Sequence, residues 1–287
     1  SRRWAGWAAQ VDGDWDLYAR GREGSKWGPV GRLTTAPGSD FKHDLATDAR
    51  GDVWLVWQSF RDGNSDIYLM NLSNPRGRNL RVTDHPANDW EPDLACDGKG
   101  GVWVAWDSYR NGNYDVYLRR MAPQPAEPIP VAASPNFEAH ASAVCDRDDR
   151  VWVAYDSAQP NWGKDYANGA TLREGNFTAT LHAYRRLELR CVTPSGVHAA
   201  PVAVPQLLPP SWEAVAKVEY GILAHRRSYD LPHLSTDANG NLWLTYRLNR
   251  QGYLGHPPGG GAWEIETAWF DGRKWSEARP YEPHVTW

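Results

Sequence analysis

Carboxylates and imidazoles recur at matching positions in five short segments of this chain: KHDL at 42–45, EPDL at 91–94, HASA at 140–143, LPHL at 231–234 and EPHV at 282–285. Aligned, they place Lys42, Glu91, His140, Leu231 and Glu282 at one position, and Asp44, Asp93, Ser142, His233 and His284 two residues on. If the segments are strands around a common axis, alternation along each strand sends both sets toward it. Such groups are costly to desolvate unless a hydrogen bond, an opposite charge or a metal compensates them. Three readings fit. Asp44, Asp93, His233 and His284 are a candidate ligand set for one divalent ion on the axis, Zn²⁺ or Ca²⁺, the His-carboxylate mixture suiting zinc better. Asp44 and Asp93, with Glu91 and His140 nearby, are a candidate pair for glycoside hydrolysis, which needs one protonated and one ionised carboxyl. Alternatively a His or Tyr base, His140, His233 or Tyr229, with Arg226 or Arg227 neutralising a uronate carboxylate suits a glycan lyase. A water-filled channel of satisfied Asp–His pairs, without chemistry, is the third reading.

Aromatic residues precede these segments: Phe41, Trp90, Phe137, Tyr229 and Tyr281. Sugars present apolar C–H faces that stack on such rings, and their hydroxyls need polar partners close by. Trp90 and Trp162, with Tyr220 and Arg227, are therefore the candidates for substrate contact. Phe41 and Phe137 are expected to pack between blades.

The elements that must position these residues are announced by a repeat. WQSFRDGNSDIY at 57–68 returns as WDSYRNGNYDVY at 106–117, and Asp48, Asp97 and Asp146 follow at intervals of 49. Each of these aspartates opens a turn ahead of an apolar strand: VWLVW, VWVAW and VWVAY. A fourth copy, DANGNLWLTY, begins at Asp237, 91 residues after Asp146. Fixed periods of this length signal repeat architectures, and four short strands per repeat with polar turns read as blades of a β-propeller. Asp16, Asp66 and Asp115 share one slot and are expected to serve turns and strand edges.

The N-terminal 34 residues supply only three strands, and EPHVTW at 282–287 matches the inner strand they lack. The expectation is an all-β, five-bladed propeller forming a single domain over 1–287 and closed by its C-terminal strand, so that no edge is left unpaired. The blades are 1–34 plus 282–287, 42–83, 91–132, 140–204 and 231–280. Three insertions, at 157–179, 206–230 and 247–263, all belong to loops of one face. Long loops in a compact domain tend to carry function, which puts a binding surface on that face.

RDGNSDIYLMNL at 61–72, followed by RVTDHPANDWEPDLACDGKG at 81–100, resembles the TolB-type propeller repeat, in which a DGNxDIY strand, an outer LT strand and a loop leading to PDGK recur. Spacing here is longer, and Ala-Cys-Asp stands where that family writes Ser-Pro-Asp. The resemblance implies a propeller in a secreted or periplasmic bacterial setting, where such repeats serve as docking modules, as peptidase gates and as relatives of glycan-cleaving enzymes. It transfers no active site, since fold alone does not establish function.

Composition agrees. Seventeen Trp and thirteen Tyr, with 26 Gly and 21 Pro, favour aromatic strands and turns over helices. A net charge of −4 without a basic stripe gives no footprint for nucleic acid. No run of about 18 apolar residues is present to span a membrane. Cys96, Cys145 and Cys191 have no metal-ligand spacing and are expected as buried strand residues. Phosphate loops, nucleotide fingerprints, HExxH and GxSxG are lacking. A start at Ser1 without Met or signal peptide suggests a processed protein or part of a longer one with further domains. The expectation is a carbohydrate-active propeller, a hydrolase or lyase; the alternative is a non-catalytic module that recognises glycan or protein.

Overall fold

The computed structural model describes residues 2–74, 77, 79–158, 185–206, 227–250 and 262–280. Among them there is no helix, and so none long and apolar enough to cross a membrane. Five antiparallel sheets of four strands follow one another along the chain, the five-bladed propeller class that the repeat predicts. The first holds β1 (Arg2–Val11), β2 (Asp14–Glu23), β3 (Lys26–Trp27) and β4 (Gly31–Arg32), the last two both pairing with β2. The second runs β5 (Asp40–Thr47), β6 (Val53–Ser59), β7 (Asp66–Asn71) and β8 (Leu80–Arg81). The third runs β9 (Asp89–Cys96), β10 (Val102–Ser108), β11 (Asp115–Ala122) and β12 (Ile129–Ala132). The fourth comprises β13 (Phe137–Cys145), β14 (Val151–Ala158), β15 (Arg186–Thr193) and β16 (Gly196–Ala199). The fifth comprises β17 (Arg227–Thr236), β18 (Leu242–Arg250), β19 (Ala262–Phe270) and β20 (Arg279–Pro280). The closing strand expected at 282–287 lies outside the described residues.

The chain divides into two compact units, Ser1–Gly112 with Tyr117–Ile129, and Asn113–Val116 with Pro130–Trp287. In the first, Leu17 and Ala19 pack with Leu55, Trp57 and Tyr68, while Val56, Ile67 and Leu69 pack with Val104, Trp106 and Tyr117. The second sheet is thus apolar on both faces, which is why its central strand reads VWLVW without a polar alternate. In the second unit, Trp152, Leu187 and Leu189 pack with Leu244, Tyr246 and Phe270. Cys191 joins that core; Cys96 is half-buried, and burial pushes its thiol up to about 12, so it stays protonated and unreactive at neutral pH.

The repeated aspartates are hydrogen-bond hubs. Asp48 Oδ1 accepts the amides of Arg50 (2.9 Å) and Asp52 (3.0 Å), and its Oδ2 accepts the Trp54 indole N–H (3.1 Å). Asp97, Asp146 and Asp237 bond likewise to the amides two and four residues on and to Trp103, Trp152 and Trp243. The third residue after each is left-handed: Gly51, Gly100 and Gly240 at φ 87°, 86° and 79°, and Asp149 at 60°. Glycine meets that conformation without steric cost in three of the four turns.

The sequence that repeats as WQSFRDGNSDIY closes on a buried carboxylate. Asp40 Oδ1 accepts the Trp57 indole (3.0 Å) and Arg61 (2.9 Å), whose guanidinium lies 4.2 Å over the Tyr68 ring. Asp89 takes the Trp106 indole (3.1 Å) and pairs with Arg110 (3.5 Å), which lies 4.1 Å over Tyr117. Burial raises the Asp89 carboxyl, opposed by Ser108 and Arg110. At strand edges Asp66 is clipped by Arg81 (2.5 Å) and Thr83 (3.2 Å), and Asp16 by Arg32 and Thr34, the edge role expected of this slot. In the third sheet Pro130 and Ala132 stand 49 residues after Arg81 and Thr83, and Asp115 is fully buried.

Asp48→Ala strands two amides and an indole N–H and is expected to cost about 1–3 kcal/mol, measured by urea unfolding. The hydrogen bonds of Asp237, chiefly from Asn241, lower its carboxyl to about 2. Its stabilising contribution is therefore complete above the ordinary carboxylate value of about 4 and disappears as pH falls through about 2. The stability difference between wild type and Asp237→Asn should shrink over that window in acid titrations.

Candidate functional site

Each of β5, β9, β13 and β17 slips register once against its neighbour: between Phe41 and His43, near Glu91 opposite Ala105 to Asp107, between Ala139 and Ser142, and between Asp230 and His233. The residue at each slip is left-handed: Lys42 (φ 49°), Glu91 (46°), His140 (56°) and Leu231 (47°). These are the four residues that the sequence aligned at one position. A left-handed non-glycine residue costs roughly 1–2 kcal/mol, and a bulge re-aims its side chain out of the strand's alternation.

Two residues further on, the aligned polar positions serve the scaffold. Asp44 Oδ1 accepts the Leu45 amide (2.7 Å) and Oδ2 the Leu94 amide of the third sheet (3.0 Å). Ser142 Oγ accepts the Leu234 amide of the fifth (3.0 Å). Both therefore pin one inner strand to the next within a unit. Asp93 and His233 occupy the same register, opposite Ala105 and Thr245. Among the described residues no group of three or more His, Cys, Asp or Glu is placed to hold a metal ion, and His284 lies outside them.

In the second unit one of the two left-handed bulge residues, His140, carries an imidazole. His140 Nδ1 lies 2.5 Å from Asp156 Oδ1, and the Asp156 carboxylate is fully buried. Its other oxygen accepts Arg185 (2.9 Å), which also lies 3.6 Å from Asp230 Oδ2. Asp230 is gripped at both oxygens by Arg247, at 2.9 and 3.1 Å. Arg185 lies 5.1 Å over the Phe137 ring, whose centroid is 6.2 Å from that of His140. Two buried carboxylates are thus compensated by the buried Arg185 and the partly exposed Arg247, the condition under which buried charges are tolerated. A carboxylate on Nδ1 fixes the ring's orientation, favours the tautomer protonated on that nitrogen and stabilises the imidazolium formed when the ring takes up a proton.

In the first unit, Lys42 Nζ pairs with Glu91 Oε1 at 2.9 Å, and the Glu91 amide donates to Gln58 Oε1 (3.2 Å). Trp90 meets Tyr109 edge-on at 6.2 Å. Tyr229 is buried, its ring 5.8 Å from Tyr246 and its amide bonded to Arg185 O (3.0 Å). Arg227 opens β17 opposite Arg250. Trp162, Tyr220 and Arg226 lie outside the described residues.

Asp156, Arg185, Asp230 and Arg247 escaped the sequence reading. A signal existed. The facing pairs Phe41 with Gln58 and Trp90 with Asp107 are replaced, at the same register, by Ala139 with Asp156 and Asp230 with Arg247.

No protein-family model matches the chain, and no curated protein matches it. Solved structures do. An ulvan lyase of polysaccharide lyase family 25, bound to a GlcA(1-4)Rha3S repeat, superposes with a TM-score of 0.59 at 12% identity over 98% of this chain and 70% of that one. A Hadza microbial sialidase gives 0.51 at 12% identity over 92% of this chain and 54% of its own. A protein described as a TolB of Agrobacterium tumefaciens gives 0.44 at 14% identity over 68% of this chain; the chain spans 60% of that protein's length. At these identities the likeness is one of fold.

Arg185→Ala leaves Asp156 and Asp230 buried with one cation fewer. A loss of about 3–5 kcal/mol is expected in chemical denaturation.

Proposed function

We propose that this protein binds a uronate-bearing polysaccharide and cleaves it by β-elimination, with His140 as the base. The observation that carries the reading is the His140–Asp156 contact, 2.5 Å long and backed by Arg185. In elimination a base removes the proton alpha to the uronate carboxylate, and the glycosidic oxygen beta to it leaves with the bonding pair. A double bond forms between the two carbons, and the leaving oxygen takes up a proton. Neutralising the uronate carboxylate stabilises the charge that develops, and a guanidinium is the side chain best shaped to do so.

Hydrolysis by paired carboxylates is less well supported. Asp156 is occupied by His140 and Arg185, and Asp230 by Arg247 at both oxygens, so the geometry presents neither to a leaving group. Glu138 is occupied by the Ser134 amide (2.9 Å) and hydroxyl (2.7 Å), and Asp44 by two amides. Arg247, by contrast, keeps 40% of its side chain exposed while gripping Asp230, and is the described cation best suited to meet a substrate carboxylate. The uronate-containing ligand of the ulvan lyase, a fold neighbour, agrees with this chemistry. A polymeric glycan substrate places the protein outside the cytoplasm, secreted or periplasmic.

The purified protein should release unsaturated ends, seen by ultraviolet absorbance, from at least one uronate polysaccharide. His140→Gln, whose amide can still donate to Asp156, should lower that rate by about 10²–10⁴ without changing the fold. Uncleaved uronate polymers, or an unaffected His140→Gln variant, would overturn the assignment.

A further inference from the structure

We infer that the first unit carries a sugar-binding platform of its own, made by the aromatic pairs Phe41–Phe60 and Trp90–Tyr109 joined through Lys42 and Glu91, which takes neutral sugar rings of a polysaccharide. The inference rests on the carbohydrate reading above but not on catalysis. Phe41 and Phe60 stack at 5.8 Å and 20°, and Trp90 meets Tyr109 at 6.2 Å and 67°. The pairs are 49 residues apart at both members and hold the same register: Phe60 N donates to Ser39 O (3.1 Å), Tyr109 N to Asn88 O (3.0 Å).

The sheet does not need these rings. In the fourth sheet the same two register positions are Ala139 and Ala158, each 1% exposed, and the strands pair as before. The large core side chains of the second and third sheets are Trp57 and Trp106, both fully buried. Phe60, however, is 40% exposed, an apolar ring turned to water that no fold requirement explains.

The ion pair beside the rings fits the same use. Lys42 and Glu91 keep 56% and 32% of their side chains exposed, so their attraction is screened and opens at little cost. Once opened, Lys42 donates and Glu91 accepts, the two functions that adjacent sugar hydroxyls require. Their left-handed backbone, with Gln58 buried beneath the Glu91 amide, holds both groups beside the rings before ligand arrives. Recognition through ring faces and hydroxyls requires no substrate charge.

The test uses His140→Gln protein, so that nothing is consumed, on an array of neutral and uronate polysaccharides, with affinities from calorimetry on the bound members. Neutral polymers should be retained at high salt. Adding Phe60→Leu and Tyr109→Leu, which keep apolar bulk but remove the flat faces, should weaken binding about tenfold or more, the effect of two lost stacks. Near-ultraviolet dichroism and thermal melts should show the fold intact. Equal affinity with and without the leucines, or retention confined to uronate polymers and abolished by salt, sinks the platform. Ring-dependent binding by a wild-type protein that releases no unsaturated ends would sink the elimination reading alone.

Discussion

A left-handed backbone at Lys42, Glu91, His140 and Leu231 is the constraint on which both candidate surfaces rest. None of these residues prefers that conformation. It is held by ladder hydrogen bonds on both sides, which resume in register two or three residues later. Relaxing one φ would shift the whole downstream strand and turn its buried side chains outward, a far larger loss than the local strain. Because the cost is tied to the ladder, the side chain at the bulge is left to chemistry. A lysine, a glutamate, a histidine and a leucine occupy it in turn.

Buried carboxylates give the sheets their second regularity. Asp40 and Asp89 each accept an indole and an arginine from the strand and loop beside them, so each charge is compensated inside its own sheet. The fourth and fifth sheets break this pattern. Arg185 reaches both Asp156 and Asp230, and Arg247 completes the second carboxylate, so the compensation runs from one sheet to the next. In a low-dielectric setting such a chain is stable only when every member is present. That makes it a rigid mount for the imidazole at its end.

The fold was legible because its signals are local and repeated. The interval of 49 residues, the aspartate turns and the VWxxW runs each follow from what a sheet buried on both faces demands. Alignment also brought the bulge residues to one position, although nothing in their types reveals a positive φ. Asp44 and Ser142 looked like lining for a channel, whereas their oxygens accept amides of the adjacent sheet. A hydrogen bond to backbone leaves no mark on the partner's sequence, so that role needed coordinates. Phe41, expected to pack between blades, instead stacks on a half-exposed Phe60. Arg185 was illegible for a different reason: it follows a long insertion where the repeat offers no register to compare.

The residue across from the bulge decides what the bulge does. In the second sheet it is Gln58 of β6, and its carbonyl oxygen accepts the Glu91 amide, a bond that fastens this sheet to the inner strand of the third. In the fourth sheet the same position is Asp156, and its oxygen faces the ring of His140 in its own sheet. An amide and a carboxylate of similar size thus send the same slot to opposite ends: the neutral acceptor is content with a backbone N–H, while the buried charge requires cationic or strongly polarised donors on both oxygens. His140 and Arg185 meet that requirement together. The pairing makes the histidine's orientation a consequence of where a carboxylate had to be compensated, and ties the one imidazole at a bulge to the one sheet whose aromatic pair has been reduced to alanines.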